Sequence, residues 1–474
     1  MSDKLIFDKI LNHAKVNQHI IANTYLHIHN AHPELLKKYN LTSYQKYFLS
    51  IKFKLVFLTK VFQSIFDNKH FYSFKKVSQS PVLFISHLTN NLQIYEENDS
   101  YFGNLPNELL AQNIESSIVL LNHTGVRLKK PLSGWENSKI SRFILSTSLS
   151  FWSEIKLYYS QKKSKTQLEF ILEHLDVDNA TKKDILQRQL SFGTINSLRI
   201  AQQVSSIIQE TGAKYIITTY EGHAWECLVY YYARRLDPTI QCFGYQHAAI
   251  FKHQHAIKRL LSDKYNPDMI LTSGLVAESI FKKSQMKNIK TMCLGSPKHI
   301  APSFKDIKSK CCLVIPEGFI SESMALFKFS LSYAELHKEQ KFIWRLHPML
   351  SFKKLQKHSD IFKKIPNNIF LSTQSLTEDI QKCDSVLYRG STAVINAISQ
   401  GLKPIYYQIS INELSIDPMY QQPDVNIVSN HDELWRSLNK SRDNLAIKRL
   451  LGFAQKFYTP LDTHAFVRLF INKT

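Results

Sequence analysis

The sequence is poor in the two residues that most often interrupt helices and strands. Among 474 residues there are only 13 glycines and 15 prolines, which excludes collagen-like, low-complexity and linker-dominated chains. Neither Gly-x-Gly-x-x-Gly nor Gly-x-x-x-x-Gly-Lys-[Ser/Thr] occurs. The glycine-rich loops typical of classical dinucleotide-binding proteins and of P-loop nucleotide hydrolases are therefore excluded.

Cysteine is also scarce, and its residues are scattered along the chain. No Cys-x-x-Cys pair occurs, which argues against a zinc ribbon or a thioredoxin-type site. Most cysteines lie inside apolar runs, as expected for buried free thiols in the reducing cytoplasm. The N-terminal residues carry acidic groups and no long apolar run, so no secretion signal is expected. The cysteines are Cys227, Cys242, Cys293, Cys311, Cys312 and Cys383.

The chain carries a formal net charge of +21, which suits an anionic partner. The positive charge is spread mainly over lysines and shows none of the motifs of nucleic-acid-binding modules, so a nucleic-acid partner is not expected. The most apolar early segment, residues 47–66, is interrupted by Lys52, Lys54 and Lys60, which are costly in the centre of a bilayer. Two alternatives stay open for this segment: an amphipathic helix lying on a membrane, or a helix packed on the protein.

Short apolar runs rich in β-branched and aromatic residues predict two series of strands. The first series covers residues 82–86, 117–121, 215–219, 240–245 and 269–272. The second covers residues 311–315, 342–346, 368–371, 385–388, 404–407 and 425–428. Helical segments fit between the runs, and such alternation is typical of parallel sheets covered on both faces.

This pattern predicts an α/β protein with two Rossmann-like, doubly wound domains that face each other across a cleft. A helical region without a clear strand is expected over residues 1–78, followed by a first domain at 79–300. The polar segment 295–309 is interpreted as a linker to a second domain at 310–445. Residues 446–474 belong to a last helix, which could return to the first domain.

Ligands of open α/β sheets bind beyond the carboxyl ends of the strands, so the residues after each strand are the functional candidates. The run 215–219 is followed by Glu221, Gly222 and His223. A glycosyltransferase that inverts the anomeric carbon needs a carboxylate to accept the acceptor's proton, and Glu221 stands where that base is expected. The alternative is a carboxylate that only complements a helix N-terminus. His223 and Glu226 are interpreted mainly as supporting residues. Gly222 and His223 are also candidates for contact with the acceptor or the donor sugar.

Two strand ends of the second series also carry polar residues. Strand alternation puts Arg345 and His347 on one face, just before Pro348. Both are expected to meet a phosphate, and His347 also to protonate it as it leaves; the alternative is a surface histidine after a proline-terminated strand. Glu317 and Gly318 are candidates for contact with the nucleotide base or ribose, or form a simple capped turn.

The run 385–388 ends in Arg389, Gly390, Ser391 and Thr392, directly before a predicted helix. Two hydroxyls, free backbone N–H groups and the helix dipole make an anion site, which predicts phosphate binding here. Ser391 is the predicted N-cap of this helix. A capping motif without a ligand is the alternative.

Histidines follow two strands of the first series. His247 and, in the equivalent place on the first strand, His87 are candidates for contact with the acceptor or the donor sugar. His253 and His255 lie in the loop after His247, but no acidic residue or cysteine is placed among the three. A metal site is therefore not expected.

The order of three motifs resembles that of bacterial sialyltransferases and polysialyltransferases. Glu-Gly at 221–222, His-Pro at 347–348 and Ser-Thr at 391–392 correspond to that family's acidic-Gly, His-Pro and Ser-Ser/Thr elements. Capsule-type Kdo transferases are similar in the last two. One position departs from the family's pattern, because its first acidic residue is Tyr220 here.

The resemblance implies the GT-B fold and an enzyme that needs neither a cofactor nor a catalytic metal. Glu221 would be the general base, and His347, Ser391 and Thr392 would bind the donor phosphate. The implied donor is a CMP-activated nonulosonic acid, such as a sialic acid or Kdo. The expected acceptor is a surface glycan or glycolipid. Peripheral membrane association is a separate alternative, which the basic charge and the segment 47–66 leave open.

Two other functions remain open. The same fold and motifs suit a transferase that uses CDP-glycerol or a UDP- or TDP-sugar. A non-catalytic basic module that binds membrane or nucleic acid would have no need of Glu221.

Overall fold

The predicted apolar runs form two mainly parallel β-sheets, each covered by helices. The computed structural model describes residues 3–28, 42–66, 69–73, 78–124, 135, 138–303, 309–348, 350–441 and 443–471. Residues 304–308 of the predicted linker lie outside this described part, as do residues 29–41 of the predicted helical region. Within the described residues, the chain is an α/β protein with two Rossmann-like domains.

The first sheet has eight strands in the order β1-β4-β3-β2-β5-β6-β7-β8. Every neighbouring pair is parallel except β1 and β4, which are antiparallel. Its strands are β1 (Phe71–Ser73), β2 (Val82–Leu88), β3 (Ser116–Asn122), β4 (Ser141–Leu145), β5 (Tyr215–Thr219), β6 (Gln241–Gln246), β7 (Met269–Thr272) and β8 (Lys290–Cys293).

The second sheet has six strands, all parallel, in the order β11-β10-β9-β12-β13-β14. Its central strand β9 is buried at every position, which explains why its sequence is a continuous apolar run. The strands are β9 (Cys311–Pro316), β10 (Lys341–Trp344), β11 (Ile369–Leu371), β12 (Ser385–Arg389), β13 (Lys403–Tyr407) and β14 (Asn426–Val428).

Helices cover both sheets. Those that precede the second sheet are α1 (Asp3–Leu11), α2 (Gln18–Ile21), α3 (Thr24–Ile28), α4 (Ser43–Phe66), α5 (Leu105–Ala111), α6 (Phe151–Glu173), α7 (Asn179–Arg188), α8 (Phe192–Thr211), α9 (Ala224–Leu236) and α10 (Leu275–Lys282). Those that follow are α11 (Ile320–Leu336), α12 (Phe352–Gln356), α13 (Leu376–Gln381), α14 (Ala393–Ser399), α15 (His431–Asn439), α16 (Asn444–Phe457) and α17 (Thr463–Ile471).

Three strands of the first sheet were not predicted from the sequence. β1, β4 and β8 have three to five residues each, and β1 and β8 lie at the sheet's two edges. β1 and β8 are partly exposed, and β4 begins with Ser141 and Arg142, so none of the three shows the continuous apolar run of a strand buried on both faces. The expectation of a strand-free region up to residue 78 is wrong for this reason, because β1 lies inside it.

The predicted last helix is two helices, α16 and α17, separated by the segment 458–462, which contains Pro460. α17 then packs on the first sheet, where Phe466 and Phe470 lie in the same core cluster as Phe84. The segment between α16 and α17 lies against the loop that follows β8, because a Cβ added at Gly295 would lie 2.0 Å from the carbonyl oxygen of Pro460. Gly295 has φ +89°, so glycine is required there both for space and for backbone conformation.

The two domains meet through the loop that follows β6. Ala249 is buried in the core cluster of the second sheet, and Phe251 packs against the same cluster. The loop therefore connects the carboxyl end of the first sheet to the interior of the second domain.

Candidate functional site

Each sheet has one place where the strand order reverses direction. In the first sheet the chain builds β3 and β4 on one side of β2 and β5 to β8 on the other. In the second sheet β10 and β11 lie on one side of β9, and β12 to β14 on the other. Crevices at such reversals are the usual ligand sites of open α/β sheets. Glu221 follows β5 at the first reversal, and Glu317 and Gly390 follow β9 and β12 at the second.

The turn after β5 requires a glycine at position 222. Gly222 has φ +84°, and a Cβ added there would lie 2.2 Å from the backbone nitrogen of Ile257. The buried side chain of Glu226 holds the turn in place. Its carboxylate accepts hydrogen bonds from the backbone N–H groups of Glu221, Gly222 and His223 at 2.8 to 3.2 Å. Glu226 is thus committed to backbone groups, and this leaves Glu221 as the carboxylate that the turn presents.

Glu221 is held between two histidines. His223 Nε2 lies 3.2 Å from Oε2, and His247 Nε2 lies 3.2 Å from Oε1, while the side chain of Glu221 remains 31% exposed. Desolvation alone would raise the pKa of Glu221, but the hydrogen bonds from His223 and His247 outweigh it and keep that pKa well below its ordinary value. The carboxylate is therefore ionised at neutral pH, as a proton acceptor must be.

The two histidines differ in charge. Burial opposes protonation of His223, yet the hydrogen bond to Glu221 and the carboxylate of Glu226 prevail and raise its pKa to about 9. Burial lowers the pKa of His247, which is therefore neutral. Its second nitrogen, Nδ1, is buried and has no hydrogen-bond partner among the described residues. The ring of Tyr101 contacts His247 edge to face, with 4.8 Å between centroids.

His87 belongs to the same group of side chains. Its Nδ1 lies 2.8 Å from Nε2 of His123, and its Nε2 lies 2.9 Å from the hydroxyl of Thr219. Burial lowers the pKa of His87 to about 3, so the imidazole is neutral. The ring also contacts Tyr101 and Trp225. The ends of β2, β3, β5 and β6 thus bring their polar residues together around Glu221.

The sequence did not single out His123, Thr219, Tyr101 or Trp225. His123 stands two residues after the predicted strand 117–121, so the rule that selected His87 could have found it. Tyr101 lies in a loop well after β2 and carries no local signal. Its place beside His247 is decided by tertiary packing alone.

The second reversal point brings together Glu317, Gly318, His347 and Gly390. A Cβ added at Gly318 would lie 3.1 Å from Nδ1 of His347, and one at Gly390 would lie 2.6 Å from Oε2 of Glu317. Gly390 also has φ +71°. The glycines therefore let the side chains of the neighbouring strand ends approach the backbone. Burial lowers the pKa of His347.

The two arginines predicted to meet phosphate are engaged inside the second domain. Arg345 Nη1 lies 2.8 Å from Oδ2 of Asp379 and also donates to a backbone carbonyl. Arg389 is almost fully buried, between the carboxylates of Glu322 and Glu413. Each guanidinium thus braces the loops around the second reversal point.

The remaining candidates of this half lie at the start of α14 and after β10. Ser391 is buried and Thr392 is half-buried. Thr392 is the N-cap, in place of the predicted Ser391, and its side chain makes no capping hydrogen bond. Pro348 follows His347 in a turn.

Within the part of the chain that the structure describes, no group of three or more His, Cys, Asp or Glu residues is arranged to hold a metal ion. The rings of His253 and His255 lie with 6.5 Å between their centroids.

No family model matches the chain, and no curated protein matches it in sequence. Several solved structures resemble it. The UDP-GlcNAc 2-epimerase from Methanocaldococcus jannaschii is 12% identical over 82% of this chain and 99% of its own, with a TM-score of 0.45. MurG from Acinetobacter baumannii is 10% identical over 83% and 100%, with a TM-score of 0.44. The calicheamicin glycosyltransferase CalG4 is 10% identical over 84% and 99%, with a TM-score of 0.49.

The fold follows from the topology of the chain itself. Two mainly parallel sheets, each with one reversal of strand order and helices on its faces, form the two Rossmann-like domains of the GT-B fold.

Proposed function

We propose that the protein transfers a nonulosonic acid from a CMP-activated donor to a hydroxyl group of a surface glycan or glycolipid. The observation that carries the proposal is the state of Glu221. It is an ionised, partly exposed carboxylate at a reversal of strand order, held on both oxygens by histidines. The order of the three sequence motifs supplies the choice of donor.

In this proposal Glu221 accepts the proton of the acceptor hydroxyl as its oxygen attacks the anomeric carbon. A new glycosidic bond forms, and the bond between that carbon and the CMP phosphate breaks, with its electron pair leaving on the phosphate. His223 and His247 orient the carboxylate. His223 carries a positive charge, so it also stabilises the anionic form of Glu221 before the proton is transferred.

The second reversal point would bind the donor nucleotide. Gly318 and Gly390 let His347 and Glu317 lie close against the ends of the neighbouring strands, and a ring nitrogen of His347 would bind the phosphate. Ser391 and Thr392 stand at the start of α14, where N–H groups favour an anion. The carboxylate of Glu317 would repel a phosphate, so it suits the ribose hydroxyls. Arg345 and Arg389 act here as positioning residues.

The first experiment is thermal stabilisation of the purified protein by CMP, CDP, UDP, TDP and GDP. A ligand that binds only the native state raises the melting temperature by mass action. A shift with CMP alone supports the nonulosonate donor, and His347→Ala is expected to diminish it. A shift with CDP, UDP or TDP instead would support nucleotide binding but would require a different donor from the one proposed. No shift with any nucleotide would favour the non-catalytic alternative.

The second experiment measures transfer from the donor that the first one selects. Glu221→Gln keeps the shape of the side chain and removes its basicity, so we expect a loss of about 100-fold to 10,000-fold in turnover. Glu335→Gln, an exposed carboxylate on α11, is the matched control. Near-normal turnover of Glu221→Gln would refute the base assignment, even if nucleotide binding were established.

A further inference from the structure

Helix α4 has two apolar faces. The inner face packs on α6, where the rings of Phe53 and Phe57 stack on Tyr158 at 6.5 and 4.6 Å between centroids. Ser64 is buried on the same side. This contact fixes the helix to the first domain and so determines which side of it points outward.

The outer face is a continuous apolar stripe. Its members follow one another at alternating intervals of four and three residues, which places them on one side of the helix. They are exposed by 38 to 71% of their surface, although large apolar side chains usually lie inside a protein. The stripe consists of Tyr44, Phe48, Ile51, Leu55, Leu58, Phe62 and Ile65.

The charge of α4 is of one sign. The helix contains four lysines and no aspartate or glutamate. Lys52 and Lys54 are exposed, and their helical positions place them on opposite flanks of the stripe. An apolar stripe flanked by lysines suits an interface between hydrocarbon and anionic headgroups, because the aliphatic part of lysine reaches along the apolar surface while its ammonium stays in the polar layer.

A second copy of the chain is the other occupant to weigh, since intervals of four and three residues also suit a coiled coil. Paired α4 helices would bring lysines of both copies together, and neither helix has an acidic residue to neutralise them. An anionic bilayer supplies that charge. Within the described residues, none of the helices is both long and apolar enough to span a membrane.

We propose that the outer face of α4 binds the surface of an anionic phospholipid bilayer, with the helix lying in the plane of the interface. The apolar stripe enters the boundary between headgroups and acyl chains, and Lys52 and Lys54 contact the headgroups. This inference rests on α4 alone, so it does not depend on the proposed glycosyl transfer.

The test is co-sedimentation of the purified full chain with vesicles of equal parts phosphatidylcholine and phosphatidylglycerol, and with vesicles of phosphatidylcholine alone. Leu55→Gln/Leu58→Gln removes the middle of the stripe, and we expect at least about tenfold weaker binding. Leu336→Gln/Leu445→Gln is the matched control, because those leucines are 71% and 64% exposed but lie in the second half of the chain. The control is expected to bind as the wild type does.

A second pair of variants tests the charge. Lysines near an anionic surface contribute about 1 kcal/mol each, so Lys52→Gln/Lys54→Gln should weaken binding to the mixed vesicles about 30-fold. Lys353→Gln/Lys354→Gln removes the same charge from exposed sites on α12 and should change it much less.

Three outcomes would overturn the proposal. One is no binding of the wild type to the mixed vesicles at low salt. Another is equal binding by the two leucine double variants. The third is a wild-type dimer in sedimentation velocity that Leu55→Gln/Leu58→Gln dissociates while vesicle binding is unchanged, which would assign the stripe to a second copy. All substituted residues are exposed, and unchanged thermal melting would confirm that the variants fold.

Discussion

Nε2 of His247 lies 3.2 Å from Oε1 of Glu221. This contact links two residues that follow neighbouring strands. β5 and β6 pair in parallel, so the residues that follow them emerge at the same edge of the sheet. Because the pKa of His247 is lowered by burial, the ring is neutral and acts on Glu221 as a hydrogen-bond donor. The ionisation of Glu221 therefore depends in part on the hydrogen bond that His247 donates to it.

Replacing His247 should change the pH dependence of transfer. His247→Phe removes one of the two hydrogen bonds that lower the pKa of Glu221, so that pKa rises and the acid limb of kcat/KM moves to higher pH. The measurement is kcat/KM against pH for the wild type and the variant. His123→Phe is the control. The partner of His123 is His87 and not Glu221, so this variant should keep the acid limb of the wild type. An unmoved acid limb in His247→Phe would contradict this account.

His223 should make stability depend on pH. Its folded pKa is about 9, above its ordinary value of 6.5, so its contribution is complete below pH 6.5 and disappears as the pH rises through 9. Since the side chain is 38% exposed, solvent screening limits the contribution to about 1 kcal/mol.

Urea unfolding of the wild type and His223→Gln on both sides of this window measures the effect. The difference in free energy of unfolding between the two proteins should shrink as the pH rises. The comparison cancels the groups that do not interact with His223, whereas Glu226, whose pKa burial raises to about 8, titrates in the same window. A difference that stays constant with pH would show that His223 is not protonated in the folded protein.

Gly222→Ala should damage the turn that carries Glu221. The new Cβ would lie 2.2 Å from backbone atoms at a φ of +84°, so the turn has to move, and we expect a loss of about 1–3 kcal/mol in stability together with most of the activity. Gly452→Ala on α16 is the control, because nothing lies within 4 Å of its Cβ position. That substitution should stabilise the helix by about 0.5–1 kcal/mol. Thermal or urea unfolding of both variants measures these two changes in stability.

The buried ion pair of Arg199 and Glu154 should be costly to break from one side. Nε and Nη2 of Arg199 donate to the two carboxylate oxygens at 2.7 and 2.9 Å. Arg199→Leu would leave the buried Glu154 carboxylate unpaired, so we expect a loss of about 3–5 kcal/mol in the free energy of unfolding. The double variant Glu154→Leu/Arg199→Leu should regain most of that loss. If it were as unstable as the single variant, packing and not charge would explain the effect.

Much of the fold could be predicted from the sequence, because strands buried on both faces need continuous apolar runs. The runs 215–219 and 385–388 coincide with β5 and β12 to within one residue. Prediction failed at the edge strands β1 and β8, which are partly exposed and therefore lack a continuous apolar run. Pairing at the edge of a sheet, which involves residues distant in the chain, is what orders those strands.

For the candidate site, the sequence by itself determined which residues lie at or near the strand ends: Glu221, His87 and His247 in the first domain, His347 and Gly390 in the second. Only the tertiary structure decided which of them meet. It placed Tyr101 and His123 beside the histidines and turned Arg389 inward to Glu322. The physical reason is that chain order fixes the end of a strand, whereas the order of strands in the sheet fixes its neighbours.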